Sequence, residues 1–394
     1  MYDLLLKNAR LFPMVQDAGE APVRTLAVSE GRIAALGVPA NTPAKETFDA
    51  AGRIVLPGFV DCHTHALYAG NRMAEHNLRL RGMTYEQIAH TGGGIHTTVQ
   101  AVRIASEQQL VEETLPRLKT LRGEGVTTVE IKSGYGLDME NELKMLRAIR
   151  QLRRHIDMDI VATFLGAHAI PRGSNRGDYL AEVIEKMLPV VVNEKLAESV
   201  DIFAENIAFD VEDLRRLFMQ AKKAGLNARA HTDQLSNIGA TIAAAAHGAL
   251  SCDHLEHASE EDVLAMHRAG TVAVLLPGAF YFLREARKPP VEWFRRHQVP
   301  MAVATDLNPG SSPIVSLLTV MHMGAITFGL TAAEILLGVT RNAAAALGRA
   351  DKIGSLAPGR HADFTVWDVP APEFLLYQMG GLKPAAVFFK GKKT

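Results

Sequence analysis

Pro57-Gly58-Phe59-Val60-Asp61-Cys62-His63-Thr64-His65 decides how this chain is read, and it runs on through Ala66-Leu67-Tyr68-Ala69-Gly70-Asn71-Arg72. A Pro-Gly pair opens a short apolar run that ends in His-Thr-His. Side chains on a strand alternate between faces, so His63 and His65 point the same way. Two neutral imidazoles on one face can grip a single divalent metal. Alone, the pair would equally suit an ordinary strand end. Later strands tip the reading toward a metal.

Outward from Pro57 the pattern becomes strands alternating with helices, which marks βα units. Eight apolar runs read as strands: Phe59–Cys62, Thr127–Ile131, Ile160–Leu165, Asp201–Ala204, Asn227–Ala230, Leu250–Cys252, Val272–Leu276 and Met301–Ala304. Helix-like stretches separate them, among them Ser106–Glu124, Glu140–Arg154, Val211–Ala224, Ile238–Ala246 and Ser259–Ala269. Ser106 and Ser259 sit where N-caps belong, and Gly225 and Gly270 follow helix ends as C′ residues do. Eight such repeats predict an α/β chain built on a (β/α)8 TIM barrel, with its chemistry at the C-terminal ends of the strands. Before the barrel, Leu4–Leu6, Thr25–Val28 and Ile33–Leu36 read as short strands, and so do His361–Trp367 and Ala385–Phe389 after it. Neither end can bury a core alone. Residues 1–56 and 351–394 are therefore expected to pair into a small discontinuous β-sandwich domain beside a metal-dependent catalytic barrel at 57–350.

Composition narrows the partners. Lys and Arg number 42 against 43 Asp and Glu in 394 residues, a formal charge of −1. No global field favours nucleic acid or an anionic membrane surface. Met1-Tyr2-Asp3 lacks the basic start of a secretory signal. The apolar run Thr271–Leu276 stops at Pro277-Gly278, well short of a membrane span. With only two cysteines, Cys62 and Cys252, no disulfide framework is implied and a cytoplasmic location is expected.

Polar residues gather at the strand ends. The first strand ends in His63 and His65, and the second runs into Lys132-Ser133-Gly134-Tyr135-Gly136. The third ends at His168, the fifth in His231-Thr232-Asp233-Gln234, and the sixth in Asp253-His254-Leu255-Glu256. The eighth ends in Thr305-Asp306-Leu307-Asn308-Pro309-Gly310-Ser311-Ser312. His and Asp recurring at one barrel face mark a site. The fourth strand, Asp201-Ile202-Phe203-Ala204-Glu205, offers no lysine that could be carboxylated to bridge two metals. Lys132 lies beyond the second strand, awkwardly placed for that role. The reading is one metal held by His63, His65, His231 and Asp306, with water in an open position. Such a metal lowers the pKa of bound water toward ~7 and polarises a carbonyl. Asp306 would accept the water's proton and pass it to a leaving nitrogen, while His254 would hydrogen-bond the hydroxide or the developing oxyanion.

With these residues in view, the chain resembles the amidohydrolase superfamily: His-x-His on the first strand, His on the fifth and sixth, Asp on the eighth. Longer stretches resemble one of its families, the imidazolonepropionases. They include His63–Arg72, Gly92-Gly93-Gly94-Ile95-His96, Glu130–Gly136, Thr163–His168, His231–Gln234, Val274–Gly278 and Asp306–Pro313. The resemblance spans nearly the whole chain. It implies hydrolysis of 4-imidazolone-5-propanoate to N-formimidoyl-L-glutamate in histidine degradation, one zinc or iron ion per chain, a small substrate bearing a carboxylate, and a homodimer. It also implies substrate contacts at Arg72, Tyr135, His168, Gln234, Asn308, Gly310 and Ser311. The chemistry suits these roles. Arg72 offers a planar fork for the propanoate carboxylate, and Tyr135 and His168 can bond the same end or the ring. Gln234, Asn308 and the Gly310-Ser311 turn offer amide and backbone groups.

Gly92–Gly94 lacks the Gly-Lys-Ser/Thr ending of a phosphate cradle and follows no strand, so it is read as an active-site loop. Two departures from the family pattern stand out. Position 234 is Gln where some members carry Glu, which leaves proton transfer to Asp306 and His254. Cys62 replaces a familiar Pro and is read as a packing variant. Two competing readings are a deaminase (or another cyclic amidase) on the same fold, and a non-catalytic barrel kept as a scaffold. Deaminases of this fold generally carry a Glu a few residues past the fifth-strand His, where Gln234 stands. Scaffold descendants usually lose a ligand, and none is missing.

Overall fold

In the computed structural model, residues 1–83 and 93–394 are described; Gly92 of the glycine run lies outside them. Six strands come first: β1 (Tyr2–Lys7), β2 (Arg10–Leu11), β3 (Leu26–Ser29), β4 (Arg32–Leu36), β5 (Ala44–Asp49) and β6 (Ile54–Pro57). Eight parallel strands follow: β7 (Phe59–Asp61), β8 (Val126–Lys132), β9 (Asp159–Ala167), β10 (Ser199–Ala204), β11 (Asn227–Thr232), β12 (Ser251–His254), β13 (Val272–Leu275) and β14 (Met301–Val303). Three more close the chain: β15 (Phe364–Trp367), β16 (Ala386–Phe389) and β17 (Lys392–Lys393).

β7 to β14 lie side by side in chain order, with helices between them. All eight expected barrel strands are present, shifted at their ends by a residue or two. Their residues are buried almost throughout, as strands covered on both faces must be, so they read as unbroken apolar runs rather than alternating ones. The barrel closes at its C-terminal rim. There His65 N–H donates to Leu307 O at 2.9 Å and Asp306 N–H to His63 O at 3.0 Å. The Asp61 carboxylate fastens the same seam, accepting from Thr305 N (3.1 Å) and Thr305 Oγ1 (2.7 Å). Closure is what brings the first-strand histidines beside the last-strand aspartate.

The helices start where their caps dictate. Ser106 caps Glu107–Gly123 and Ser259 caps Glu260–Ala269, each with a reciprocal capping box. Gly270 ends the latter helix at φ +71°, a left-handed cap that glycine adopts without strain.

The two chain ends build a pair of small sheets, ordered β4-β3-β1-β5 and β17-β16-β15-β6-β2. The second mixes strands from both ends, since β15 pairs antiparallel with β6 and with β16. Leu4, Leu6, Leu26, Val28, Val55, Phe364 and Phe388 share the core between the sheets, as the discontinuous sandwich requires. Gly58 alone separates β6 from β7. A Cβ there would lie 2.1 Å from Thr127 Oγ1, so glycine is needed for the chain to pass from sandwich to barrel. Among the described residues no helix is long and apolar enough to cross a membrane.

Candidate metal centre and active site

His63 and His65 emerge from β7, His231 lies in β11, and one ring nitrogen of each can be chosen so that all three lie within 4.8 Å of one another. Asp306 joins them from the loop after β14, its Oδ1 3.5 Å from His63 Nε2 and 3.6 Å from His65 Nε2. Residues Asp306 and His254 carry φ values of +50° and +82°. Left-handed backbone at bulky side chains costs of order 1–3 kcal/mol and is kept where the surroundings impose it. Here the barrel rim imposes it.

The carboxylates behind the imidazoles set their orientation. Asp253 Oδ2 lies 2.6 Å from His63 Nδ1, and Asp201 Oδ1 lies 3.0 Å from His231 Nδ1. With Nδ1–H donated to a carboxylate, each ring turns the lone pair of Nε2 toward the centre. His63 Nε2 is buried without a hydrogen-bond partner and faces the Asp306 oxygen. A lone pair opposed to a carboxylate oxygen is repulsive unless a proton or a metal cation lies between them. Burial also holds His63 and His65 neutral, well below the ordinary imidazole range, and pushes the Asp306 carboxyl well above the ordinary carboxylate range. Three imidazoles and a carboxylate form a donor set that zinc and iron both accept. The residues fit a metal ion.

The aligning carboxylates belong to a charged cluster inside the barrel that sequence reasoning did not single out. Lys132 Nζ lies 2.7 Å from Glu130 Oε1 and 2.8 Å from Asp201 Oδ2. The Arg229 guanidinium lies 3.1 Å from both Glu130 Oε1 and Asp253 Oδ2, and all five side chains are fully buried. Lys132 corrects the expectation placed on it: it is the last residue of β8, not beyond the strand. Its ammonium is bound into ion pairs rather than free to be carboxylated. The signal was present as charged residues, Glu130 and Lys132 two apart and Arg229 alone, in otherwise apolar strands.

A cavity of about 990 Å³ opens over this centre. His65, His231, His254 and Asp306 line it, together with Arg72, Tyr135, His168, Gln234, Asn308, Gly310 and Ser311. His168 stacks on His65 with centroids 5.0 Å apart, and its Nδ1 lies 2.9 Å from Gly134 O. Burial, with His231 nearby, lowers it to about 3, so the ring is neutral. Tyr135 sits beside both rings. His254 is likewise kept neutral, by burial first and the neighbouring His231 second. Its Nδ1 lies 4.0 Å from the buried Glu256 carboxylate.

Other residues are committed more locally than their types suggested. Asn308 Oδ1 accepts from Gly310 N (2.8 Å) and Ser311 N (2.7 Å), while its Nδ2 donates to Asp306 O (2.7 Å) and Ser311 Oγ (2.9 Å). It braces the loop behind Asp306, and it engages the two backbone donors that the turn would otherwise offer. Glu205, fully buried beyond β10, accepts from Leu235 N (2.9 Å) and Ser236 Oγ (2.5 Å), which fixes the loop carrying Gln234. Glu75 receives Arg72. Gly93 and Gly94 line the same cavity, in keeping with a loop at the site. Cys62 is buried in the apolar packing next to His63, and burial pushes its thiol far up. It packs, as expected.

The model of the amidohydrolase family matches residues 54–394. An imidazolonepropionase from Mesorhizobium japonicum is 50% identical over 385 residues, covering 95% of this chain and 94% of that protein. One from Shewanella baltica is 51% identical over 362 residues, covering 90% and 89%. Among solved structures, a 5-methylcytosine deaminase from Klebsiella pneumoniae liganded with 5-fluorocytosine superposes with a TM-score of 0.77 at 19% identity, over 99% of this chain and 96% of that one. An adenosine deaminase from Xanthomonas campestris with bound zinc does so with 0.73 at 18%, over 100% and 92%. At such identities the two deaminases share the fold. The chain thus belongs to the amidohydrolase family and, within it, groups with the imidazolonepropionases.

Proposed function

We propose that the chain hydrolyses the cyclic amide of 4-imidazolone-5-propanoate to N-formimidoyl-L-glutamate, with zinc or iron held by His63, His65, His231 and Asp306. The observation that carries the reading is the convergence of three oriented imidazoles and a buried carboxylate on the cavity floor, in a chain half identical to imidazolonepropionases. When bound, the metal supplies Lewis acidity toward a water and a carbonyl oxygen. The protein groups do the rest. Arg72 holds the propanoate carboxylate, with Tyr135 and His168 against the ring. Asp306 takes a proton from the attacking water, whose oxygen bonds to the ring carbonyl carbon. It then returns that proton to the nitrogen as the C–N bond breaks. His254, neutral and at the cavity wall, donates a hydrogen bond to the oxygen that gains charge. Gln234 bonds the ring without transferring a proton. Asn308, Gly310 and Ser311 shape the loop that presents Asp306 and packs against Arg72.

The reading extends to a cytoplasmic homodimer with the catalytic barrel at 57–350 and no nucleic-acid or membrane partner. A near-neutral charge supports the lack of a nucleic-acid or membrane partner, and two buried, unpaired cysteines support the cytoplasm, while the homodimer rests on the family resemblance. The test is a substrate panel: loss of the imidazolone chromophore against ammonia release from guanine or cytosine. Chromophore loss without ammonia release is the expected outcome, and ammonia release alone would overturn the reading in favour of a deaminase.

A further inference from the structure

Arg72 does not hang loose in the cavity. Its Nε and Nη2 donate to Glu75 Oε2 at 2.8 and 2.5 Å. The other oxygen of Glu75 accepts from Gly94 N at 3.2 Å and Thr97 Oγ1 at 2.9 Å. Both side chains of the pair are largely buried, Arg72 10% and Glu75 13% exposed. On the opposite side the guanidinium meets Gly310, where a Cβ would fall 2.2 Å from Arg72 Nη1. A guanidinium has two edges that can each take a carboxylate. Glu75 occupies the Nε–Nη2 edge, and among the described residues no side chain takes the Nη1–Nη2 edge, which is open to another anion.

We propose that Glu75 is the positioning residue for substrate recognition. It fixes the plane of the Arg72 guanidinium and aims its second edge at the carboxylate of the substrate. The inference rests on the reading of Arg72 as the group that binds the propanoate. Two features argue for aiming over mere neutralisation. Glu75 is itself fixed at both oxygens, by Arg72 on one side and by the start of the helix Ile95–Ile104 on the other. Gly310 packs against the guanidinium from the β14 loop, at a point where only a residue without a Cβ fits. A preset fork loses little side-chain freedom on binding, which is where pre-organisation gains affinity. Thr97 and Gly94 thereby tie the segment beyond the glycine run to recognition of the same group.

The experiment is steady-state kinetics with 4-imidazolone-5-propanoate on the metal-loaded wild type and on Glu75→Gln, Thr97→Val, Arg72→Met and the Arg72→Met/Glu75→Gln double variant. Metal content and Tm are measured in parallel. Positioning predicts that Glu75→Gln raises KM about tenfold with a much smaller change in kcat, and that Thr97→Val raises it two- to threefold. The double variant should be no worse than Arg72→Met, because Glu75 acts through Arg72. A lower KM in Glu75→Gln would overturn the proposal by showing that Glu75 competes with substrate for Arg72. A large KM rise in Arg72→Met beside an unchanged KM in Glu75→Gln would also overturn it while sparing the role of Arg72. An unchanged KM in Arg72→Met would remove the reading on which the inference stands.

Discussion

Asp253 Oδ2 lies 2.6 Å from His63 Nδ1, and both side chains are completely buried. The contact fixes which nitrogen of His63 faces the centre, and Asp201 does the same for His231 at 3.0 Å. Asp253→Asn and Asp201→Asn keep the shape but lose the charge. Each should weaken metal binding by roughly 10- to 100-fold, the usual cost of removing an outer partner of a ligand. Equilibrium dialysis of zinc measures it, and wild-type affinity in both variants would show that the imidazoles are oriented by something else.

Arg229 holds Glu130 and Asp253 together at 3.1 Å each, in the middle of the barrel. Arg229→Met leaves two buried carboxylates short of a cation. Breaking a buried ion pair from one side costs about 3–5 kcal/mol. Urea denaturation of the metal-free protein should register a loss of that order, whereas a loss below about 1 kcal/mol would mean that Lys132 alone balances the cluster.

Gly310 lies against Arg72, and its carbonyl accepts from Arg79 Nη2 at 3.3 Å. Gly310→Ala drives a methyl group into the guanidinium. KM should rise by an order of magnitude or more while metal content stays at wild type. An unaltered KM would place substrate binding away from this contact.

Asp363 provides a pH test far from the metal site. Burial pushes its carboxyl up to about 6, although Oδ1 accepts from Lys390 N at 2.6 Å. The folded value exceeds the unfolded one, so between the two the folded state keeps a proton that the unfolded chain has released. Stability contributed by this group therefore falls as pH rises to about 6 and is flat above. Asp363→Asn has no such penalty. The Tm advantage of the variant over wild type should be larger at pH 7.5 than at pH 5, and an equal difference at both would contradict the raised value.

Much of this architecture was legible in the chain. Buried parallel strands announce themselves as apolar runs, and His63, His65, His231 and Asp306 fall where those runs end. The sandwich was legible because neither chain end could form a core alone, yet its pairing of β6 with β15 depends on contacts some 300 residues apart. The interior cluster was harder. Glu130, Lys132, Asp201, Arg229 and Asp253 sit on four different strands, and each alone breaks an apolar pattern without naming its partner. Asn308 was ambiguous for a related reason. Its amide could line the cavity, close a turn or do both, and only the folded backbone of Gly310 and Ser311 shows that its oxygen closes the turn.

Cys62 and Cys252 give a simple check on packing at the site. Both are free and buried, and burial raises both thiols. An aromatic disulfide reagent should label neither in the native protein and both after unfolding. Rapid native labelling would show that the wall behind His63 opens.

The central claim is a hydrolysis that requires the His63–His65–His231–Asp306 centre. The most direct measurement is loss of imidazolone absorbance by chelated protein as zinc or iron is titrated back, with Asp306→Ala as control. Turnover that rises to a plateau at about one metal per chain, and is absent from the variant at any metal concentration, is the predicted result. Full turnover by the metal-free protein, or by Asp306→Ala, would contradict the account.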